Sequence, residues 1–148
     1  DAFSVASQAG LIDAIKQVTA TMTLLLGTIA GISLVVGGIG IMNTLLTSVA
    51  ERTREIGVRK SLGACNRDIL QQFLTEALVL SMLGGTFGML LGWLGGAGIA
   101  RIAGWPVSVD LSSVIAAVSF STAVGLIFGT YPALQASRMD PVQALRYE

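Results

Sequence analysis

The stretch MTLLLGTIAGISLVVGGIGIMNTLLTSV, Met22 to Val49, holds 28 residues and no charged side chain. The hydrocarbon core of a bilayer is about 30 Å thick, and a helix needs about 20 apolar residues to cross it. Two further stretches meet that requirement: Phe73 to Ala100, where Glu76 is the only charged residue, and Leu111 to Leu134, which has none. The sequence therefore predicts an all-α membrane protein with three transmembrane helices.

The composition of the chain supports a membrane protein. The 148 residues are 53% hydrophobic and only 12% charged, whereas soluble domains average about 25% charged residues. Too few polar residues remain to cover three buried helices in a soluble fold. The net charge is zero, histidine is absent and there is one cysteine. These counts argue against nucleic-acid binding, a metal cluster or a disulfide framework. We expect no catalytic, cofactor-binding or metal-ligating residue on this chain.

The positions of Lys and Arg predict how the helices are oriented, because short loops rich in these residues stay in the cytoplasm. Seven of the nine basic residues lie in segments 50–72 and 135–148, and only Lys16 and Arg101 lie elsewhere. We therefore expect the N-terminus outside and the C-terminus in the cytoplasm.

The first spanning stretch is longer than a bilayer requires, at about 42 Å for a rise of 1.5 Å per residue. Before it, Leu11, Ile15 and Val18 recur at helical spacing beside polar residues. We expect the helix to continue outward as a half-polar stalk; the alternative is a separate surface helix with a break near Thr21. The chain opens on DAFSVASQAG, without an initiator methionine or a signal peptide, and we expect it to be part of a longer protein.

Between the first two spans lies the most charged segment, ERTREIGVRKSLGA, Glu51 to Ala64. We expect a helix from Glu51 to Leu62, ended by Gly63 in the left-handed conformation, with Asn66 capping the next helix. A lone helix of this length is marginal in water, so it must dock on something. It could rest on lipid headgroups, but its mixed charges favour a contact with protein.

Glycines recur every four residues in each span, which places them on one helix face. Such faces allow close helix packing in lipid, and also favour sliding between helices. The predicted helix-packing residues are Gly27, Gly31, Gly84, Gly88, Gly92, Gly96, Gly125 and Gly129.

Two further features of the sequence carry expectations. Glu76 is an intramembrane polar residue and thus a functional candidate; near the cytoplasmic edge it favours snorkelling or pairing with an arginine over proton transfer. Asp140 followed by Pro141 predicts the N-cap and first residue of a short terminal helix, which is either a solvated end or a second protein contact.

The strings SVAERTREIGVRKSLGACNRDILQQFLTEALVLSMLGG and GTYPALQASRMDPVQALRYE closely resemble the C-terminal permease region of the MacB family. This family is also known as the FtsX-like or type VII ABC transporter permeases, and the resemblance covers nearly the whole chain. It implies seven segments. They are the end of an extracytoplasmic domain and stalk (1–21), a transmembrane helix (22–49), a cytoplasmic coupling helix (50–65), a transmembrane helix (66–100), an outer loop (101–110), a transmembrane helix (111–134) and a cytoplasmic tail (135–148).

The resemblance also implies a function. The coupling helix would dock on an ABC ATPase domain, and mechanotransmission through the spans would drive efflux at an extracytoplasmic domain. The implied coupling residues are Glu51, Arg52, Arg54, Glu55, Ile56, Val58, Arg59, Lys60 and Leu62. The implied partners are the ATPase, a second permease copy in a dimer, a periplasmic adaptor and an outer-membrane channel, in a bacterial inner membrane.

The ATP and Mg²⁺ of such a transporter would bind the ATPase domain, which must lie upstream or on another chain, because no G-x-x-x-x-G-K-[ST] phosphate loop occurs here. This chain would itself be non-catalytic. The alternative is an FtsX-like signalling permease that activates an external hydrolase without transport. A channel or secondary transporter would need several polar groups facing one another at mid-bilayer, and Glu76 alone does not provide them.

Overall fold

The computed structural model describes residues 2–104 and 110–145, with side chains over 10–104 and 110–144. Five helices follow one another along these residues: α1 (Ala2–Glu51), α2 (Thr53–Ser61), α3 (Asn66–Ala103), α4 (Leu111–Ser137) and α5 (Pro141–Leu145). No strand occurs in these two ranges. The segments Gly10–Glu51, Asn66–Ala103 and Leu111–Ser137 are long and apolar enough to cross a membrane. The all-α prediction with three spanning helices is confirmed.

The first helix runs without a break through Thr21, so the alternative of a separate surface helix is wrong. The Thr21 hydroxyl donates to the backbone oxygen of Gln17 at 2.9 Å, and Thr23 does the same to Thr19 at 2.9 Å. These polar side chains therefore satisfy their donors within their own helix. The chain divides between Val36 and Gly37 into two compact units, and the packing of α2 to α5 lies within the second.

Small residues bring α3 and α4 into close contact. Three pairs form the interface: Ala77 with Gly129, Ser81 with Gly125, and Gly85 with Ser121. In each pair, a Cβ added to the glycine would overlap the side chain of its partner. From one pair to the next, the residue number rises by four on α3 and falls by four on α4, so the two helices run antiparallel. Positions four apart share a helix face, so each helix contributes one row of small residues. Such rows let backbones approach and pack by van der Waals contact.

The buried core lies at the end of these helices that is next to α2. Phe73 of α3 is only 1% exposed and is among the largest fully buried side chains of the described residues. It belongs to a cluster with residues of α1, α2 and α4. The members are Val49, Ile56, Ile69, Phe73, Ala133 and Ala136. This cluster fixes α2 against the ends of the three spanning helices.

The turn from α2 to α3 is closed by backbone hydrogen bonds. Gly63 has a φ of 101°, in the left-handed region that strains any other side chain. The amides of Gly63 and Ala64 donate to the carbonyl oxygens of Lys60 and Arg59, at 3.1 Å each, which is a Schellman motif. The predicted role of Gly63 is confirmed.

The start of α3 differs by one residue from the prediction. Cys65 is the N-cap and Asn66 is the first helical residue. The backbone N–H of Cys65 donates to the Asp68 carboxylate at 3.0 Å. The acidic residue in the first turn of α3 thus supplies the capping hydrogen bond. An asparagine side chain is therefore not needed there, although sequence preference favours it.

The short helix α5 begins as its sequence predicts. The Asp140 carboxylate accepts a hydrogen bond from the Val142 N–H at 2.9 Å, and Pro141 is the first helical residue. Proline suits this position because its missing N–H would be unpaired anyway. The chain thus turns sharply after α4 and lays α5 against α2.

Candidate functional site

The candidate site is α2, whose two faces have different surroundings. Ile56 is 4% exposed, Gly57 is buried, and Lys60 is half-buried against its own chain. Val58 is 44% exposed and Leu62, just beyond the helix, is 84% exposed. One face is therefore anchored to the rest of the chain, and the other is open.

Most of the predicted coupling residues are exposed. The exposed ones are Glu51, Arg52, Arg54, Glu55, Val58, Arg59 and Leu62. Arg54 and Val58 are four residues apart, as are Val58 and Leu62, so a charge and two aliphatic side chains share a strip along the helix. A surface of mixed charge with exposed aliphatic side chains suits contact with protein better than contact with anionic headgroups.

The anchored face is held first by a close approach of two small residues. A Cβ added to Gly57 would lie 2.7 Å from the Cβ of Ala144 and 3.5 Å from the backbone oxygen of Pro141. Ala144 is itself only 1% exposed. A larger residue at position 57 would therefore push α5 away, and glycine is needed for contact rather than for backbone conformation.

Lys60 supplies the second attachment. Its Nζ donates to the backbone oxygens of Ser137 and Met139, at 2.7 Å each. Ser137 is the last residue of α4 and is 4% exposed. The predicted coupling set is thus divided: Lys60 and Ile56 contact this chain, while the other seven residues are exposed.

Arg59 links α2 to the start of α3. Its guanidinium donates to Oε1 of Glu55 at 2.5 Å and to Oε1 of Gln72 at 2.6 Å. The pair of Arg59 and Glu55 is about half exposed, and such helix pairs contribute only about 0.3–0.5 kcal/mol. The main effect of the two Arg59 hydrogen bonds is therefore to orient this side chain beside α3.

Glu76 lies one turn beyond Gln72 on α3 and is half-buried. Within the described ranges the one ion pair joins Arg59 and Glu55, so no arginine of α2 reaches Glu76 there. Gln72 takes the hydrogen bond that the sequence led us to expect for Glu76. The snorkelling of Glu76 stays a prediction.

The predicted helix-packing glycines fall into different surroundings. Gly125 and Gly129 lie against Ser81 and Ala77 of α3. An added Cβ would meet no atom within 4 Å at Gly27, Gly31, Gly84, Gly88 or Gly92. Gly96 is half-buried. The role of the open glycines in packing stays a prediction.

Sequence reasoning missed three contributors: Gly57, Ala144 and the inward direction of Lys60. One signal was available for Lys60. Pro141 follows Ser137 by four residues and has no N–H, so the carbonyl of Ser137 must find a donor outside its own helix. Nothing in the local sequence indicates that Ala144 meets Gly57.

Comparisons with known proteins identify the family of the chain. Residues 27–141 match the family model described as FtsX-like permease, C-terminal. The whole chain is 51% identical to the Uncharacterized ABC transporter permease YknZ of Bacillus subtilis (strain 168), covering 37% of that protein. It is 50% identical over its full length to the Macrolide export ATP-binding/permease protein MacB of Bdellovibrio bacteriovorus, covering 23% of that protein. For MacB of Azoarcus sp. (strain BH72), the identity is 49% over 99% of this chain and 22% of the relative.

The chain therefore spans between about a fifth and somewhat more than a third of the length of these relatives. Three helices able to span a membrane, together with permease relatives, indicate a multi-pass membrane protein. The match to the family model covers well over half of the chain, and the chain belongs to the FtsX-like permease family.

Proposed function

We propose that this chain is the transmembrane part of a MacB-like ABC exporter. In this proposal α2 is the coupling helix: it receives the motion of an ABC ATPase and transmits it through the spanning helices to an extracytoplasmic domain. The relatives support the proposal, because their names join a permease with an ABC transporter or with ATP binding.

The observation that carries the proposal is the division of α2 into two faces. A helix that transmits motion needs an open surface for the driving partner and a rigid attachment to the elements that move. Arg54, Val58 and Leu62 provide the open surface, while Ile56 and Lys60 provide the attachment. A helix resting on headgroups would need the first face only.

The remaining parts of the proposal follow from charge and composition. Seven of the nine basic residues lie in the segments that contain α2 and the tail, which favours a cytoplasmic position for both. ATP and Mg²⁺ belong to the ATPase domain, and this chain contributes no residue to nucleotide chemistry. A second permease copy completes the transporter, in the inner membrane of a bacterium.

The experiment reverses a charge on the open face. Arg54→Glu in the full-length protein, assembled with its ATPase in proteoliposomes, is expected to uncouple ATP hydrolysis from the movement of a macrolide. A mismatched charge at an interface costs several kcal/mol, and about 1.4 kcal/mol is a factor of ten, so we expect transport per ATP to fall about tenfold or more. Insertion into the membrane should be unchanged.

Two further variants make this test specific. Arg59→Glu should act in the same direction, although it also removes the hydrogen bonds to Glu55 and Gln72. Arg67→Glu changes the charge equally at an exposed position of α3 and serves as the control. Normal coupling in both Arg54→Glu and Arg59→Glu would contradict the proposal. Hydrolysis that depends on α2, without macrolide movement by the unmodified protein, would favour the FtsX-like signalling alternative.

A further inference from the structure

We infer that Lys60 is a positioning residue: its ammonium group binds the carbonyl oxygens at the end of α4 and so attaches α2 to the third spanning helix. Its mechanical consequence rests on the proposed function, in which α2 receives motion that α4 must follow. The attachment itself can be tested without any ATPase.

The first support is the need for a donor at the end of α4. The last carbonyl groups of a helix have no intrahelical partner. Ser137 is the last residue of α4, so its carbonyl is one of these, and Pro141, four residues later, has no N–H that could reach back to it. Ser137 is 4% exposed, so solvent gives limited compensation. Lys60 Nζ meets this need at 2.7 Å, and it reaches the Met139 carbonyl at the same distance.

The second support is electrostatic. The C-terminal end of a helix carries partial negative charge, and a cation nearby stabilises it. The last turn of α4 contains no basic residue of its own. An ammonium group has three donors, and Lys60 uses one on Ser137, the last residue of α4, and one on Met139, two residues beyond it. Arg138 follows as the C-cap residue but is exposed, so the half-buried cation at this end comes from Lys60 of α2.

The third support is the position of Lys60 on α2. It shares a face with Ile56 and Gly57, which lie against the core cluster and Ala144. This face is already in contact with the chain that holds it, so Lys60 is unsuited to contact an external ATPase. Its role differs from that of Arg54, although the sequence places both in one charged segment.

The experiment compares Lys60→Met with the unmodified full-length protein in lipid nanodiscs, without nucleotide. Methionine keeps most of the apolar length and removes the donors. Losing hydrogen bonds made by a charged group is expected to raise hydrogen exchange of the α2 amides about tenfold, because α2 opens from the bundle more often. Lys60→Arg, which restores a cationic donor, should return exchange toward the original rate. If Lys60→Met does not insert, Lys60→Leu, which also has no donor, takes its place.

The matched control is Arg54→Met, which removes a cation from the same helix but from its open face. It should leave exchange of the α2 amides within about twofold of the original. Unchanged exchange in the Lys60 variant, or an equal increase in both variants, would overturn the inference.

A second measurement separates this inference from the proposed function. Spin labels replace the exposed residues Ser61 and Arg138 in a cysteine-free background with its ATPase, with and without ATP plus vanadate. The separation of α2 from the end of α4 should stay constant in the unmodified protein and in Lys60→Arg, and should change with nucleotide in Lys60→Met. If exchange responds to Lys60 but nucleotide alters the distance in no variant, the attachment stands and the driving role of the ATPase on α2 fails.

Discussion

Two rows of small residues run along α3 at the same spacing of four, yet only one of them meets α4. The packed row is Ala77, Ser81 and Gly85, and the open row is Gly84, Gly88 and Gly92. The open row has less side-chain volume, and its glycines are the ones that the sequence pattern predicts to pack. Close packing therefore does not follow from the smoothness of one face alone.

The difference lies in what α4 offers opposite each row. Ala77 and Ser81 face Gly129 and Gly125, whereas Gly85 faces Ser121. Each layer of the interface thus holds one small side chain, supplied by one helix, and a glycine on the other. Complementary pairs of positions, rather than a repeat on one helix, determine where two backbones approach.

The strongest way to break the packed row is Gly129→Ala. The new methyl group would overlap the Cβ of Ala77, which cannot rotate away because it is fixed to the helix backbone. Overpacking of this kind typically costs about 1–3 kcal/mol. We expect that loss in the free energy of unfolding of the full-length protein, measured by denaturant titration in detergent micelles.

A compensating substitution tests the layer itself. Ala77→Gly removes the group that Gly129→Ala would strike, so the double variant should recover most of the lost free energy of unfolding. The coupling between the two sites should exceed about 0.5 kcal/mol, as expected for residues in contact. Additive losses in the double variant would show that positions 77 and 129 do not form one layer.

A smaller, local effect is expected at the start of α4, far along the helix from the packed row. Hydrogen bonds from the Ser112 hydroxyl, and next from the Leu111 N–H, hold the pKa of the Asp110 carboxyl below its ordinary value of 3.8. A lowered pKa in the folded state gives stability that is present above the ordinary pKa and lost as the pH falls through the folded one. Acidification should therefore loosen the first turn of α4 only in this low-pH range.

The measurement is the protection of the first-turn amides of α4 against hydrogen exchange as the pH is lowered. Asp110→Asn keeps an oxygen that can cap the helix but does not titrate, so its protection should not depend on pH in that window. The amides of residues 125–129, in the packed row, should serve as an internal reference. Equal acid sensitivity in both segments would contradict the local role of Asp110.

The smallest effect is expected in the open row. Gly88→Ala adds a methyl group where no atom lies within 4 Å, so no overlap opposes it, and the better helix propensity of alanine should raise the free energy of unfolding by at most about 1 kcal/mol. The same titration as for Gly129→Ala measures it. A loss comparable to that of Gly129→Ala would mean that another part of the full-length protein or a second copy covers this row.

The site shows the same division between what is local and what depends on packing. The charged segment, the Gly63 turn and the Asp140–Pro141 helix start are confirmed from sequence, because each depends on residues within a few positions along the chain. The contact of Lys60 with the end of α4 was not predicted, because its acceptors lie 77 and 79 residues away, and its coupling role stays a prediction. The N-cap of α3 is Cys65 rather than the predicted Asn66, because the Asp68 carboxylate accepts a hydrogen bond from the Cys65 N–H.

The three spanning helices and the long first helix could be predicted from the amino-acid sequence, since apolar runs of that length are stable as helices in lipid whatever they contact. The charged helix was predicted from Glu51 to Leu62 and lies over Thr53–Ser61, so its end was predicted to within one residue and its start to within two. Which small residues pack, and which face of α2 remains open, could be seen only in the folded arrangement of the helices. Those outcomes depend on residues of other helices, and a periodic pattern on one helix carries no information about its neighbour.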